Sequence, residues 1–350
     1  MNPPNRSRLR DVGENRMVAR FRQLAEATFT SGVVVGPGDD AAVVRVPEYR
    51  AAVLTCDMLV EGVHFRREWA TPWQIGWKAM AVNLSDIAAM GGEPGFAVAS
   101  LSLPGEAETG LAEGIAEGLI AAASQHGTAL VGGDLVGSTG PIVVDVAVLG
   151  WVEQGAPLRR TGARPRDAIV VTGALGASAA GLLARQRGFA GGENDPEVEQ
   201  ALQAHLTPQP RVKEGRVIAA TRRATAMMDL SDGLAMDLPR LCAESGVGAR
   251  IWADKIPIAR ACVAVAVRAG LKPLPLATSG GEDYELLFTC WPDSVSRIAD
   301  AVSRVGGAPV TVIGEVLAER DIMVVDPLGR ELGLGRGFDQ FAAGIVEAKA

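Results

Sequence analysis

Thr71-Pro72-Trp73-Gln74-Ile75-Gly76-Trp77-Lys78-Ala79-Met80-Ala81-Val82-Asn83-Leu84-Ser85-Asp86-Ile87-Ala88-Ala89-Met90-Gly91-Gly92 is the stretch whose reading decides the fold. Thr71 is a helix N-cap, Pro72 suits the first helical position, and Gln74 stands where a capping-box side chain reaches back. Gly91, Gly92 and Pro94 stop the helix. From Thr71 to Met90 is twenty residues, a rod of roughly 30 Å at the usual rise per residue. Apolar residues cover nearly its whole circumference, which predicts a buried helix. Asn83 and Asp86 lie three apart and share a face. A buried carboxylate needs a partner, and the residues alone leave two: an arginine or cap, or a metal ion.

The rest of the chain supplies the setting. Its 350 residues exceed one typical core and predict two domains. Hydrophobic residues make up 48% and aromatics only 5%, an α/β composition. A net charge of −7 without a Lys/Arg run speaks against a nucleic-acid partner. Cys56, Cys242, Cys262 and Cys290 form no C-x-x-C pair, so neither a disulfide framework nor a zinc site is indicated. With no apolar signal region and no apolar run long enough for a membrane span, a cytoplasmic protein is expected.

Strands and helices alternate on either side of the long helix. Helical spacing runs over Glu14 to Ala27. Val33-Val34-Val35, a Gly36-Pro37-Gly38-Asp39-Asp40 turn and Val43-Val44 follow, then Ala51 to Asp57 as a strand ending on an acid. A strand over Phe96 to Leu103, a helix over Glu108 to His126, the strand-to-acid run Thr128 to Asp134 and a strand over 141–152 complete the first half. Glu153 to Arg166 reads as the junction. Ala168 to Gly176 running into a helix at Ala177 is a weak candidate for a phosphate cradle, because helix starts offer free N–H groups. Thr225 to Leu234 is again strand, acids and helix start, and Pro239 predicts a kink or a restart at Asp237. Ser279-Gly280-Gly281-Glu282-Asp283-Tyr284-Glu285 leads into a strand over Leu286 to Thr289. A helix over Ser294 to Val305 and a strand over Val310 to Ile313 follow.

No Walker-type P-loop occurs, and the three histidines, His64, His126 and His205, are far apart in sequence. What recurs is oxygen. Asp39, Asp40, Asp57, Asp86, Asp134, Asp229 and Asp232 stand beside Gly, Ser or Thr at expected strand ends and helix starts. Oxygen ligands without thiolate or imidazole select Mg²⁺ or Ca²⁺. Mg²⁺ in turn suggests a phosphorylated substrate, since carboxylate and phosphate repel without a cation between them.

These segments resemble those of the thiamine-monophosphate kinase family, within the aminoimidazole-ribonucleotide-synthetase-like superfamily. The likeness is carried by Gly36-Pro37-Gly38-Asp39-Asp40-Ala41, Thr55-Cys56-Asp57 with Gly62-Val63-His64-Phe65, Lys78 to Gly91, Gly132-Gly133-Asp134, Arg160-Thr161-Gly162-Ala163, Asp229 to Leu234, Ser279 to Glu285 and Gly337-Phe338-Asp339. It implies an α/β fold of α+β type, the two-domain AIR-synthetase-like (PurM-like) fold, with first-domain strands of two subunits forming a barrel across a homodimer. The expected domains are a tail over 1–12, an N-terminal ATP- and Mg-binding and dimerisation domain over 13–153, and a C-terminal α/β domain over 154–350 that completes the substrate site. By position, Asp40, Thr55, Cys56, Asp57, Asp86, Asp134, Asp229 and Asp232 would bind several Mg²⁺ ions. Gly133, Asp134, Arg160 and Ser231 would lie by ATP, and His64, Glu282 and Phe338 by thiamine monophosphate. Cys56 and Phe338 depart from the family's usual threonine and hydroxyl-bearing aromatic.

The implied reaction passes the ATP γ-phosphoryl group to thiamine monophosphate, giving thiamine diphosphate. A phosphate monoester with a second pKa of about 6 is already a dianion at neutral pH. No catalytic general base is therefore expected, and transfer is in line, without a phosphoenzyme. Two alternatives stay open on the residues: another ATP-using enzyme of the superfamily, and a non-catalytic regulator that binds nucleotide or divalent ions.

Overall fold

The structure is a computed structural model that describes residues 7–37, 41–192, 194–333, 335 and 337. The chain divides into two compact units, one up to Gly155 and one from Ala156, with Ala88–Gly91 grouped with the second. The first contains α1 (Leu9–Val12), α2 (Glu14–Ala25), β1 (Val33–Val35), β2 (Val43–Val44), β3 (Arg50–Val60), α3 (Pro72–Ala89), β4 (Glu93–Pro104), α4 (Thr109–Gln125), β5 (Ala129–Ser138) and β6 (Val143–Glu153). α3 is the helix expected from the sequence, and its capping box is closed both ways: the Gln74 amide donates to Thr71 Oγ1 at 3.3 Å and the Thr71 amide to Gln74 Oε1 at 2.9 Å. Gly91 ends it in the left-handed region at φ 69°, and the Gly92 amide donates back to the Ile87 carbonyl. Ile75, Ala79, Met80, Leu84 and Ile87 are fully or almost fully buried. Gly76 and Gly118 let α3 and α4 meet backbone to backbone, since a Cβ on either would overlap a carbonyl oxygen of the other helix.

These helices lie beside a four-stranded sheet of order β3-β6-β4-β5, antiparallel except for the β4/β5 pair that α4 connects. Along β6 the burial alternates strictly, so one face of the sheet is core and the other is not. On the open face Leu54, Met58, Val98 and Val136 are 74%, 51%, 42% and 50% exposed. The hairpin β1/β2 packs over part of that face, with Val33 and Val44 against Phe96, Ala129 and Val131. The sheet is open rather than a closed barrel, with β3 and β5 as its edges among the described residues.

The second unit contains β7 (Ala168–Thr172), α5 (Ala177–Gln186), α6 (Pro196–Leu206), α7 (Val212–Thr221), β8 (Ala224–Asp229), α8 (Leu234–Ser245), β9 (Gly248–Trp252), α9 (Arg260–Arg268), α10 (Pro273–Ser279), β10 (Leu286–Cys290), α11 (Val295–Arg304), β11 (Val310–Leu317), β12 (Ile322–Val325) and β13 (Glu331–Leu332). Its seven-stranded sheet has the order β13-β12-β9-β11-β7-β10-β8 and is antiparallel except where β12 joins β9. Ile169, Val171, Leu175, Leu238, Leu241, Leu287 and Ile313 lie in one continuous core. Of the two outcomes expected at Pro239, the restart at Asp237 does not occur: α8 is a single helix that contains the proline. Its start is secured by the Met236 and Asp237 amides on the Gly233 carbonyl, so Pro239 removes one intrahelical bond from an already anchored helix.

Candidate functional site

Strand alternation places Thr55 and Asp57 on the same side of β3, the side that meets Asn83 and Asp86 of α3. The Thr55 hydroxyl donates to the Asp86 carboxylate. The Asp57 amide donates to Asn83 Oδ1 at 2.9 Å, and Asn83 Nδ2 donates to the Ala79 carbonyl at 3.0 Å. Asn83 is completely buried and locks strand to helix, which holds the two carboxylates on facing elements. The donor atoms gathered here are carboxylate and hydroxyl oxygens, with no imidazole or thiolate, which is the chemistry that suits Mg²⁺. Among the described residues no group of three or more His, Cys, Asp or Glu side chains is placed to hold a metal ion. Asp40, which falls between β1 and β2 in the sequence, lies outside the described residues.

The loop after β3 carries His64. Its Nδ1 accepts the Val60 amide at 3.0 Å, so the neutral ring carries its proton on Nε2. Lys78, buried on α3, donates to the His64 carbonyl at 3.3 Å and fixes the loop from below.

Other predicted residues lie elsewhere on the sheet. Cys56 points to the opposite face from Thr55 and Asp57, where its thiol donates to Asp145 Oδ1 at 3.4 Å. Partial desolvation, followed by the hydrogen bond to Asp145 and the charges of Asp145 and Asp57, pushes that thiol above its ordinary pKa. Asp134 is exposed on β5, in register with Ser100 of β4, which is in register with Asp145 of β6. Gly133, beside it, has no room for a side chain, because a Cβ would overlap the Ala99 carbonyl. Asp57 and Asp134 therefore stand on opposite edge strands of a four-stranded sheet, roughly 14 Å apart at three strand spacings.

In the second unit two motifs lie backbone to backbone. The Glu282 amide donates to the Ser231 carbonyl at 2.7 Å, the Tyr284 amide to the Leu230 carbonyl at 2.9 Å, and the Leu230 amide to the Glu285 carbonyl at 2.8 Å. Gly281 and Gly233 permit this approach: a Cβ on Gly281 would come within 2.5 Å of the Ser231 carbonyl, and one on Gly233 within 2.5 Å of the Gly280 carbonyl. Glu282 and Tyr284 both have positive φ, at 63° and 50°, a costly backbone that these bonds maintain.

The three acids of Glu282-Asp283-Tyr284-Glu285 are then directed to different partners. Glu285 is buried, takes two hydrogen bonds from Arg211 at 2.8 and 2.5 Å, and accepts from the Thr172 hydroxyl at 2.6 Å. Asp283 accepts the Gly176 and Ser178 amides at 2.7 and 3.3 Å. This overturns the phosphate-cradle reading of the loop before α5: its helix-start amides are occupied by a carboxylate of the same chain. Burial, opposed by those amide bonds, raises the Asp283 pKa to about 7. Glu282 meets His205 of α6, Nδ1 to Oε2 at 3.1 Å.

Asp229 ends β8 and is buried. Asp232 pairs with Arg240 at 2.5 Å, and Arg240 also reaches Asp237 at 3.0 Å. Burial raises Asp237 to about 6, against the hydrogen bond it accepts from the Asp232 amide. The loop of Arg160 is held by Ser245, whose hydroxyl donates to the Arg160 carbonyl at 2.8 Å and accepts the Gly162 and Ala163 amides at 3.1 Å. Phe338 lies outside the described residues. His205, Arg240 and Asp145 were not singled out in the sequence. Arg240 stands one helical turn from Asp237, a visible ion-pair spacing, whereas nothing in the sequence brings His205 to Glu282.

Residues 38–152 match the family described as AIR synthase related protein, N-terminal domain, and residues 164–326 the corresponding C-terminal domain. The chain is 40% identical over 306 residues to a thiamine-monophosphate kinase of Rhodopirellula baltica, covering 85% of this chain and 86% of that one. A crystal structure of thiamine-monophosphate kinase from Stenotrophomonas maltophilia superposes with a TM-score of 0.79 at 36% identity, covering 88% and 95% of the two chains. A structure described as AaThiL complexed with AMPPCP and TMP gives 0.73 at 32% identity, covering 95% and 98%. The chain belongs to the thiamine-monophosphate kinase family and is built from the N- and C-terminal AIR synthase related domains.

Proposed function

We propose that the protein transfers the γ-phosphoryl group of ATP to thiamine monophosphate, giving thiamine diphosphate. The observation that carries this reading is the Thr55-Asp57-Asn83-Asp86 lock between β3 and α3, in a chain related over most of its length to kinases of that name. Asp57, Asp86 and Thr55 would hold Mg²⁺, with Asp40, the backbone of Cys56, Asp134, Asp229 and Asp232 as further ligands. Bound there, Mg²⁺ would neutralise phosphate charge. Gly133, Asp134, Arg160 and Ser231 are assigned to ATP, and His64, Glu282 and Phe338 to the acceptor. His64 has its Nδ1 lone pair engaged by the Val60 amide and is assigned no role as a base. None is needed, because the acceptor phosphate is a dianion at neutral pH.

A homodimer fits the open sheet. Sheet edges at β3 and β5, among the described residues, beside an exposed apolar face invite a second copy, and pairing across both edges would close an eight-stranded barrel over Leu54, Met58, Val98 and Val136. Four free cysteines are compatible with the cytoplasm, and among the described residues no helix is long and apolar enough to cross a membrane.

Incubation of purified protein with ATP, Mg²⁺ and thiamine monophosphate tests the reading, with free thiamine and aminoimidazole precursors as controls. Diphosphate formed from the monophosphate alone, and lost on exhaustive chelation, is expected. Turnover of another acceptor, or none, overturns it. Light scattering of wild type and Leu54→Asp tests the dimer, with a monomeric wild type as the refuting result.

A further inference from the structure

Among the acids of the Ser279–Glu285 motif, Glu282 is the one whose side chain keeps a quarter of its surface exposed, at 25%, against 5% for Glu285. It is held from behind by an unusual residue. α6 buries an otherwise apolar face of Val198, Ala201, Leu202 and Leu206, and His205 stands in the middle of it at 6% exposure. Room for that ring is built into α5. Gly181 brings the two helices together, since a Cβ there would overlap the Ala201 carbonyl and lie 2.8 Å from the His205 Cβ. Ser178, one turn earlier on α5, sets its hydroxyl 3.2 Å from His205 Nδ1. The same Nδ1 is 3.1 Å from Glu282 Oε2.

An ionised carboxylate only accepts hydrogen bonds, so the shared nitrogen must carry the proton. We propose that His205 is a positioning residue for the phosphoryl acceptor: its Nδ1–H, shared with Ser178, fixes the rotamer of Glu282 in the acceptor site, an inference that rests on the acceptor role given to Glu282 above. His205 is assigned no proton transfer. Its tautomer is the reverse of His64, whose Nδ1 accepts, so the two histidines present opposite ring nitrogens to their partners.

The test compares His205→Asn, whose amide nitrogen falls near Nδ1, with His205→Gln, whose amide falls near Nε2. His205→Gln is expected to raise the KM for thiamine monophosphate roughly ten-fold, the weight of one hydrogen bond to a charged group. The KM for ATP should not move, and His205→Asn should restore most of the acceptor affinity. In a Glu282→Gln background the His205→Gln effect should vanish, which a purely structural role would not produce. Nitrogen-15 spectra of the imidazoles, with His205 assigned by its loss in His205→Asn, should show Nδ1 protonated. A ring protonated only at Nε2, an unchanged acceptor KM in His205→Gln, or an effect that persists in full in the Glu282→Gln background overturns the inference. Wild-type protein that fails to phosphorylate thiamine monophosphate overturns the functional reading instead, and the spectra still decide the His205–Glu282 bond.

Discussion

The acids on the β3/α3 face and those of the Ser279–Glu285 segment have similar sequence surroundings and meet different partners. On β3 and α3, the Asp86 carboxylate accepts from the Thr55 hydroxyl, and the backbone of Asp57 is pinned by the Asn83 side chain. In the second unit, Glu285 is met by Arg211 and Asp283 by the start of α5. Where the chain answers an acid with a buried arginine or with helix-start amides, as it does for Glu285 and Asp283, the acid becomes part of the fold.

The widest effect should come from the first region. Asp86→Asn is expected to lower turnover about 10³-fold, comparable to losing a key electrostatic group at a transition state, while the thermal midpoint stays near wild type. Near-normal activity would remove Asp86 from the ligand set. The converse holds for Glu285→Ala, which leaves Arg211 without its buried partner and should cost about 3–5 kcal/mol in urea unfolding. A loss below about 1 kcal/mol would place Glu285 with the exposed ion pairs instead.

Asp283 sharpens the contrast through pH. Its folded pKa, raised to about 7, lies above the ordinary carboxylate value of 3.8, so as pH falls the folded state takes up this proton before the unfolded state does. Its contribution to stability is therefore greatest below about pH 4, declines as pH rises toward 7, and is constant above that. Asp283→Asn should remove a decline on the order of 4 kcal/mol between those limits, read from unfolding curves at each pH. Identical slopes in both proteins would show the carboxylate ionised throughout. The smallest effect belongs to Thr71→Ala, which opens the capping box of α3 and should cost about 1 kcal/mol, with activity unchanged at permissive temperature.

Much of this was legible in the linear chain, because local rules govern it. The cap and stop of α3, its burial, and the strands and helices of the first unit follow from capping chemistry and periodicity, which act over a few residues. α6, α7, α9 and α10 were less legible, since short helices between loops carry weak signals. Pro239 does not divide α8, because a helix anchored at its start tolerates one missing bond.

What the residues determined by themselves is the inventory: oxygen-bearing acids at the ends of strands and helices, and glycines where backbones must touch. The tertiary structure decided which acids are already satisfied. It sent Asp283 to a helix start that the sequence offered to phosphate, turned Glu285 onto Arg211, and set His205 beside Glu282. The physical reason is that a carboxylate's role depends on the charges within a few ångströms, and those come from residues that are distant along the chain.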